Sequence, residues 1–453
     1  MIEREKSSFR DNSGFVFREN GKLRRQVNLC YKQDYDALMT SGLYDKLVEK
    51  GWLVAHKELS VQIEGLYKVI EPEEIDFITY PYEWSFSAYK DAALLTLKIQ
   101  KQALLHGMTL KDASSYNVQF QNGRPVFIDT LSFQKLDEKE PWQAYKQFCQ
   151  HFLAPLALMS YKDDRLSGLM KNYIDGIPLD MASKLLPKWS SLGLLTHIHL
   201  NASFQDKYSS SQKSGKSVRS MSLKRHIILI ESLFEFVSGL KNKFRKTEWG
   251  KYYTFTNYNQ EAFVQKGNII REMLLKVPNV KTLWDMGAND GYFTRLASGG
   301  KIKTVAFDID PMAVEFNYLK MKKEKETNIL PLVFDLFNPS PAIGWDNGER
   351  TKVQNRGKPD VVMALALIHH LCISNNTPIE YVADYFREIA PYLVIEFVGK
   401  EDSQVKKLLS SREDIFDNYT EEGFEKSFSK YFKILEKRPV SEMKRTLYLM
   451  KRI

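Results

Sequence analysis

Short unbroken apolar runs, several of them closed by a carboxylate, recur through the second half of the chain. Residues 281–286 read as a buried strand ending at Asp285, 303–308 as one ending at Asp308, and 332–336 as one carrying Asp335. Residues 360–367 and 392–398 give two more, and 431–435 and 446–450 a terminal antiparallel pair. Runs this short and this apolar suit a parallel sheet covered on both faces, with the helix-like segments between them as crossovers. The expectation is a doubly wound, Rossmann-like α/β sheet of seven strands. The first half has a different pattern. Residues 15–27 alternate around Asn20-Gly21, a hairpin signal. Residues 34–51 read as helix, with apolar Leu38, Leu43, Leu47 and Val48 and a break at Gly42. The aromatic, proline-containing stretch 80–86 reads as a loop and 88–107 as a long helix. Trp142, Tyr145, Phe148, Phe152 and Leu156 suggest packed helices within 141–202. Together these describe an α+β N-terminal domain.

A chain of 453 residues exceeds what one hydrophobic core usually serves. The expected division is an N-terminal domain over 1–206, a basic Ser/Lys-rich linker and helix over 207–240, and a second domain over 241–453. No apolar run approaches the roughly 20 residues that cross a bilayer, and the charged first residues lack a signal-peptide core. Cys30, Cys149 and Cys372 are widely spaced and read as reduced thiols, so a cytoplasmic location is expected. The net charge of +9 is partly concentrated in 207–220. That segment is either a solvated linker or a weak contact for an anionic surface. No nucleic-acid motif accompanies it. His197 and His199 have no further ligands at a diagnostic spacing, so no metal is expected.

The chemistry concentrates at Asp285-Met286-Gly287-Ala288-Asn289-Asp290-Gly291. Gly287 and Gly291 permit a sharp turn and close approach of backbone to a ligand. Asp285 stands at the carboxyl end of its strand, where open α/β sheets bind ligands. The spacing is not the dinucleotide fingerprint. A glycine turn after a strand occurs in many α/β proteins. The ordered acids Asp285, Asp308 and Asp335 distinguish this one.

This arrangement resembles class I S-adenosylmethionine-dependent methyltransferases over about residues 255–453. The resemblance implies a cofactor site of Asp285, Gly287, Ala288, Asn289, Gly291, Asp308, Ile309, Asp335 and Leu336. Asp308 would accept the ribose hydroxyls and Asp335 a bond from the adenine amino group. The fourth strand runs into His369 and His370, candidates for a general base at neutral pH. Glu396 is a candidate to orient that imidazole or bind the acceptor.

In the first half, Asp112, Asn117 and Asp129 resemble the catalytic and metal-binding loops of protein kinases and aminoglycoside phosphotransferases. No glycine-rich phosphate loop precedes them, Asp129 is followed by Thr130-Leu131, and Lys68 is the nearest candidate for the strand lysine. The alternative is a pair of structural turns. Residues 80–86, 110–133, 148–156 and the glycine turn together resemble the bacterial NoeA-like methyltransferase family over nearly the whole chain. That implies methyl transfer to a small-molecule or glycan acceptor, such as a cell-surface precursor. Two alternatives are a bifunctional protein that also transfers phosphate, and a binding protein built on a methyltransferase fold.

Overall fold

The computed structural model describes residues 2–60, 66–189, 221–243, 260–440 and 444–453. The chain divides into two compact units. One is Met1–Phe244 with Pro341–Thr351, the other Arg245–Ser340 with Lys352–Ile453. The second unit thus begins at Arg245 and leaves out eleven residues within its span, while the first unit takes in helix Leu223–Gly239 of the stretch read as linker and helix. The basic segment 207–220 and both His197 and His199 lie outside the described residues.

The first unit opens with an antiparallel sheet of β1 (Ile2–Arg4), β2 (Gly14–Glu19), β3 (Lys22–Asn28), β4 (His56–Leu59) and β5 (Leu66–Pro72), in the order β1-β2-β3-β5-β4. Asn20 and Gly21, both at positive φ, make the predicted turn between β2 and β3. Gly42 (φ 77°) separates helices Lys32–Thr40 and Leu43–Glu49, as its freedom to adopt a left-handed backbone allows. The helix Phe86–Leu105 buries Tyr89, Ala92, Ala93 and Ile99. The stretch before it contains a 3₁₀ turn, Pro81–Glu83, in which Glu83 Oε2 accepts from Tyr80 N at 2.9 Å. Two small hairpin-like pairs follow, β6 (Met108–Leu110) with β9 (Phe133–Lys135) and β7 (Val118–Gln121) with β8 (Arg124–Phe127).

The second unit is built on seven strands: β10 (Thr282–Met286), β11 (Lys303–Asp308), β12 (Ile329–Val333), β13 (Val361–Ala364), β14 (Tyr392–Val398), β15 (Phe432–Pro439) and β16 (Arg445–Arg452). Their order is β12-β11-β10-β13-β14-β16-β15. The first five are parallel, and β16 runs antiparallel to both its neighbours. All four residues of β13 are buried, as a central parallel strand covered on both faces requires. The order reverses between β10 and β13, so the crevice at their carboxyl ends is the topological switch point. No helix among the described residues is long and apolar enough to cross a membrane.

Candidate functional site

The backbone after β10 turns through Gly287 (φ 83°), Asn289 (φ 51°) and Gly291 (φ 78°) before helix Tyr292–Ser298 begins. Asparagine tolerates this left-handed region better than most residues do. Gly287 N and Ala288 N both donate to Phe307 O at 2.9 Å, tying the turn to β11. Asp308 fixes its far side, accepting from Asn289 N (2.8 Å) and Asp310 N (2.9 Å). A cavity of about 320 Å³ opens at the switch point. Asp285, Gly287, Ala288, Asn289, Asp308, Ile309, Asp335 and Leu336 all line it.

Asp285 is buried, and its Oδ2 accepts from Thr294 Oγ1 at 2.5 Å. Its Oδ1 has no hydrogen-bond partner. An unsatisfied buried carboxylate oxygen is costly, and a cationic ligand group in the cavity is a physical reason for it. Burial pushes this carboxyl up to about 7, with nearby Asp308 adding to the effect. Asp308 is pushed up to about 6 by burial, against the pull of its backbone donors. Toward the β12 edge the wall turns apolar, and Ile309 and Phe337 keep 58% and 46% of their surface exposed.

Three expected site residues stand elsewhere. Gly291 is not part of the cavity wall. A Cβ there would lie 2.5 Å from Asn317 Oδ1 and Arg295 Nη1, so this glycine makes room for the Arg295–Asn317 bond (2.9 Å) behind the turn. His369 is buried and also absent from the wall, while His370 lines it. One turn of π-helix, His370–Ser374, begins here. Burial, with His370, Arg445 and Lys266 adding to it, holds the His369 imidazole well below its usual range, hence neutral. Glu396 is fully buried off the wall. Its Oε2 accepts from Lys266 Nζ at 2.6 Å and Ala366 N at 2.7 Å. The partners of this oxygen are thus an ammonium and a backbone amide, not the imidazole expected for it.

Lys266 is missing from the expected set. It lines the cavity from helix Gln260–Leu275, on the buried stripe that includes Ala262, Ile269, Ile270 and Met273. A lysine at i+4 and before i+7 of an apolar helix face was the available signal. Ala366, also on the wall, is a non-glycine residue at φ 48°. Strain of this kind clusters at functional sites.

In the first unit, Asp112 accepts from Ser114 N (2.9 Å) and Gln147 Nε2 (2.8 Å). Burial, reinforced by Asp129, raises its carboxyl, and Asn117 bonds to it. Asp129 pairs with Arg25 of β3 at 2.6 Å and caps the next turn through Leu131 N. Lys68 pairs with Glu58 on the neighbouring strand instead. No group of three or more His, Cys, Asp or Glu among the described residues is placed to hold a metal ion.

Compared with known proteins, the chain is 34% identical over 457 residues to nodulation protein NoeA of Rhizobium meliloti (strain 1021), spanning 98% of this chain and 95% of that one. The chain belongs to the NoeA family. No family model matches it. Among solved structures, this NoeA relative is similar to N-methyltransferase NodS from Bradyrhizobium japonicum WM9 in complex with S-adenosyl-L-homocysteine. That likeness has 11% identity and a TM-score of 0.33, covering 46% of this chain and 93% of that one. A likeness to WbdD has 14% identity and a TM-score of 0.30, covering 41% of this chain and 40% of that one. The class I methyltransferase fold of the second unit rests on its own strand order, with the antiparallel β16 inserted between β14 and β15.

Proposed function

We propose that this NoeA-family chain is an S-adenosylmethionine-dependent methyltransferase acting on a polar small-molecule or glycan acceptor. The observation that carries the reading is the partnerless Oδ1 of Asp285, buried at the switch point of a methyltransferase-type sheet. The donor set fits the cofactor. Asp285 suits its ammonium, Asp308 its ribose hydroxyls, and Asp335 with Ile309, Leu336 and Phe337 its adenine. Bound there, the cofactor supplies an electrophilic methyl group on a sulfonium. The protein contributes by orienting the acceptor and excluding water. His370, Ser374 and Asn375 give the wall a polar stretch from one turn of chain. Ser374 Oγ is buried without a hydrogen-bond partner, a reason to expect a polar acceptor group beside it. His370 is the candidate proton acceptor for a hydroxyl, since it lines the cavity and His369 does not.

Calorimetry with S-adenosylhomocysteine tests the reading. Saturable binding that Asp285→Asn and Asp308→Ala each weaken is expected; no binding by the wild-type chain overturns it.

A second reading concerns the first unit, which we take as kinase-like. Its five-stranded sheet is followed by a long helix and two short strand pairs, and Asp112, Asn117 and Asp129 gather beside them. The Arg25–Asp129 pair occupies the carboxylate that a phosphotransferase would give to metal, which favours a docking role over phosphate transfer. ATP consumption by the full chain would reverse that preference. Cofactor binding with no turnover on any acceptor would favour a binding protein.

A further inference from the structure

Large aromatic side chains are normally hidden, because their area dominates what a fold gains by burial. Trp345, on the stretch Pro341–Thr351 of the first unit, is 76% exposed. Its indole has no ring contact or hydrogen bond among the described residues. Asp346 and Asn347 beside it are also exposed, and their side chains likewise make no hydrogen bond or ion pair there. Three successive side chains are thus left unused by the fold.

The backbone that carries them is nevertheless tightly held. Ile343 and Arg350 form an antiparallel bridge, with N to O distances of 3.1 Å in both directions. Gly344 stands at φ 85°, and a Cβ there would lie 2.6 Å from Glu349 Cβ. Asp346 and Asn347 close the hairpin at φ 51° and 50°, a region that non-glycine residues seldom occupy. Strain of this kind gathers at ligand clamps. Glu349 is the anchor, with its side chain 1% exposed. Its Oε1 accepts from Trp345 N at 3.0 Å, and its two oxygens accept from the Arg10 guanidinium at 2.9 and 3.1 Å. Arg10 also pairs with Asp175 at 2.6 Å. One carboxylate therefore joins the hairpin to the loop that carries Phe9, a second aromatic residue, 44% exposed.

The groups at the tip narrow the kind of ligand. The indole offers a flat face and one N–H donor, Asp346 two acceptor oxygens, and Asn347 both donors and an acceptor. A sugar ring presents the complement, a face of C–H bonds rimmed by hydroxyls that donate and accept. Charge argues against an anionic ligand. The Arg10 guanidinium is already answered by Glu349 and Asp175. Lys6, whose Cδ lies 3.2 Å from the position of a Gly348 Cβ, and Asp346 are of opposite sign. A stable protein interface buries on the order of 800 Å² per partner around an apolar core depleted of charge. Here the exposed rings stand among charged and amide groups instead.

We propose that the hairpin from Ile343 to Arg350 is a docking platform for a neutral oligosaccharide. Trp345 stacks on the C–H face of one sugar, and Asp346 and Asn347 bond its hydroxyls. The platform belongs to the first unit and does not depend on the cofactor cavity.

The full chain is applied to immobilised neutral oligosaccharides of glucose, galactose, mannose and N-acetylglucosamine, and those that retain it are titrated by calorimetry. At least one should bind saturably. Trp345→Ala should weaken that binding by about three- to ten-fold, the loss of one stacking partner, while Trp345→Tyr keeps most of it. The double variant Asp346→Gly/Asn347→Gly accepts the left-handed tip and removes both polar groups. It should weaken binding although the indole is intact. Trp345→Ala should melt with the wild type, because its indole makes no bond within the fold. Retention by no oligosaccharide, or equal affinity in wild type and Trp345→Ala, overturns the proposal. So does a wild-type dimer in sedimentation that Trp345→Ala dissociates, which would give the ring to a second copy of this chain.

Discussion

Asp285→Asn should stabilise the ligand-free protein while weakening its ligand. Burial moves this carboxyl from 3.8 to about 7 in the folded chain. The sign follows from proton counting. Below pH 4 the carboxyl is neutral in both folded and unfolded states and costs nothing. Between pH 4 and 7 the folded state keeps a proton that the unfolded state releases, so stability falls as pH rises. Each pH unit in that window costs about 1.36 kcal/mol, and the loss levels off above pH 7 at on the order of 4 kcal/mol. Asparagine has nearly the same shape, can keep a bond to Thr294 Oγ1 and carries no charge. Its advantage over wild type should therefore be near zero at pH 4 and largest at pH 8. Even a quarter of the full value would move the melting temperature of a unit this size by about 2–4 °C. Paired urea titrations across pH 4–8 read the difference directly, and calorimetry with S-adenosylhomocysteine reads the loss of binding. A destabilisation by Asp285→Asn that stays constant across this range would refute the reasoning, because the aspartate would then be a structural acceptor and not a charge held for a ligand.

Asp308→Ala should weaken S-adenosylhomocysteine by about ten- to hundred-fold in the same calorimetry, since ribose hydroxyls would lose a charged acceptor. Gly291→Ala should cost about 1–3 kcal/mol of stability in urea titrations, because its φ is 78° and its Cβ would press on Asn317 and Arg295. Of the histidines, His370→Ala should lower turnover once an acceptor is in hand. His369→Ala should instead lower the melting temperature, and loss of turnover confined to His369→Ala would reverse the assignment.

The acids at the strand ends were legible because a parallel strand is a short apolar run and its ligand-facing terminus is where the run stops. Asp285, Asp308 and Asp335 all met at one cavity for that reason. Gly291 shows the limit of spacing: the position was recognisable, but its neighbour Asn317 is 26 residues away and no local pattern reveals it. Which of the adjacent His369 and His370 lines the cavity was not legible, because the five-residue π-turn His370–Ser374 leaves no periodicity to read. Lys266 was legible in principle as a charge on an apolar helical stripe. Glu396 Oε2 is taken by Lys266 Nζ and Ala366 N instead of an imidazole, and Lys266 lies 130 residues earlier, a pairing that no local spacing reveals. In the first unit, Arg25 was hidden inside an alternating hairpin, where alternation reports the face of a side chain and not its partner.

The excursion Pro341–Thr351 constrains how this protein can be cut. Glu349 bonds to Arg10 at 2.9 Å, Thr351 N donates to Tyr80 Oη at 2.6 Å, and the Arg350 guanidinium lies 4.0 Å over the Tyr116 ring. All three partners come from the first 120 residues of the chain, while the eleven residues themselves are encoded between β12 and β13. A fragment that begins near residue 240 would retain the excursion and lose these three partners. The gene therefore offers no single breakpoint at which one half could be exchanged for a homologue's, and a swap succeeds only if these eleven codons travel with the N-terminal half.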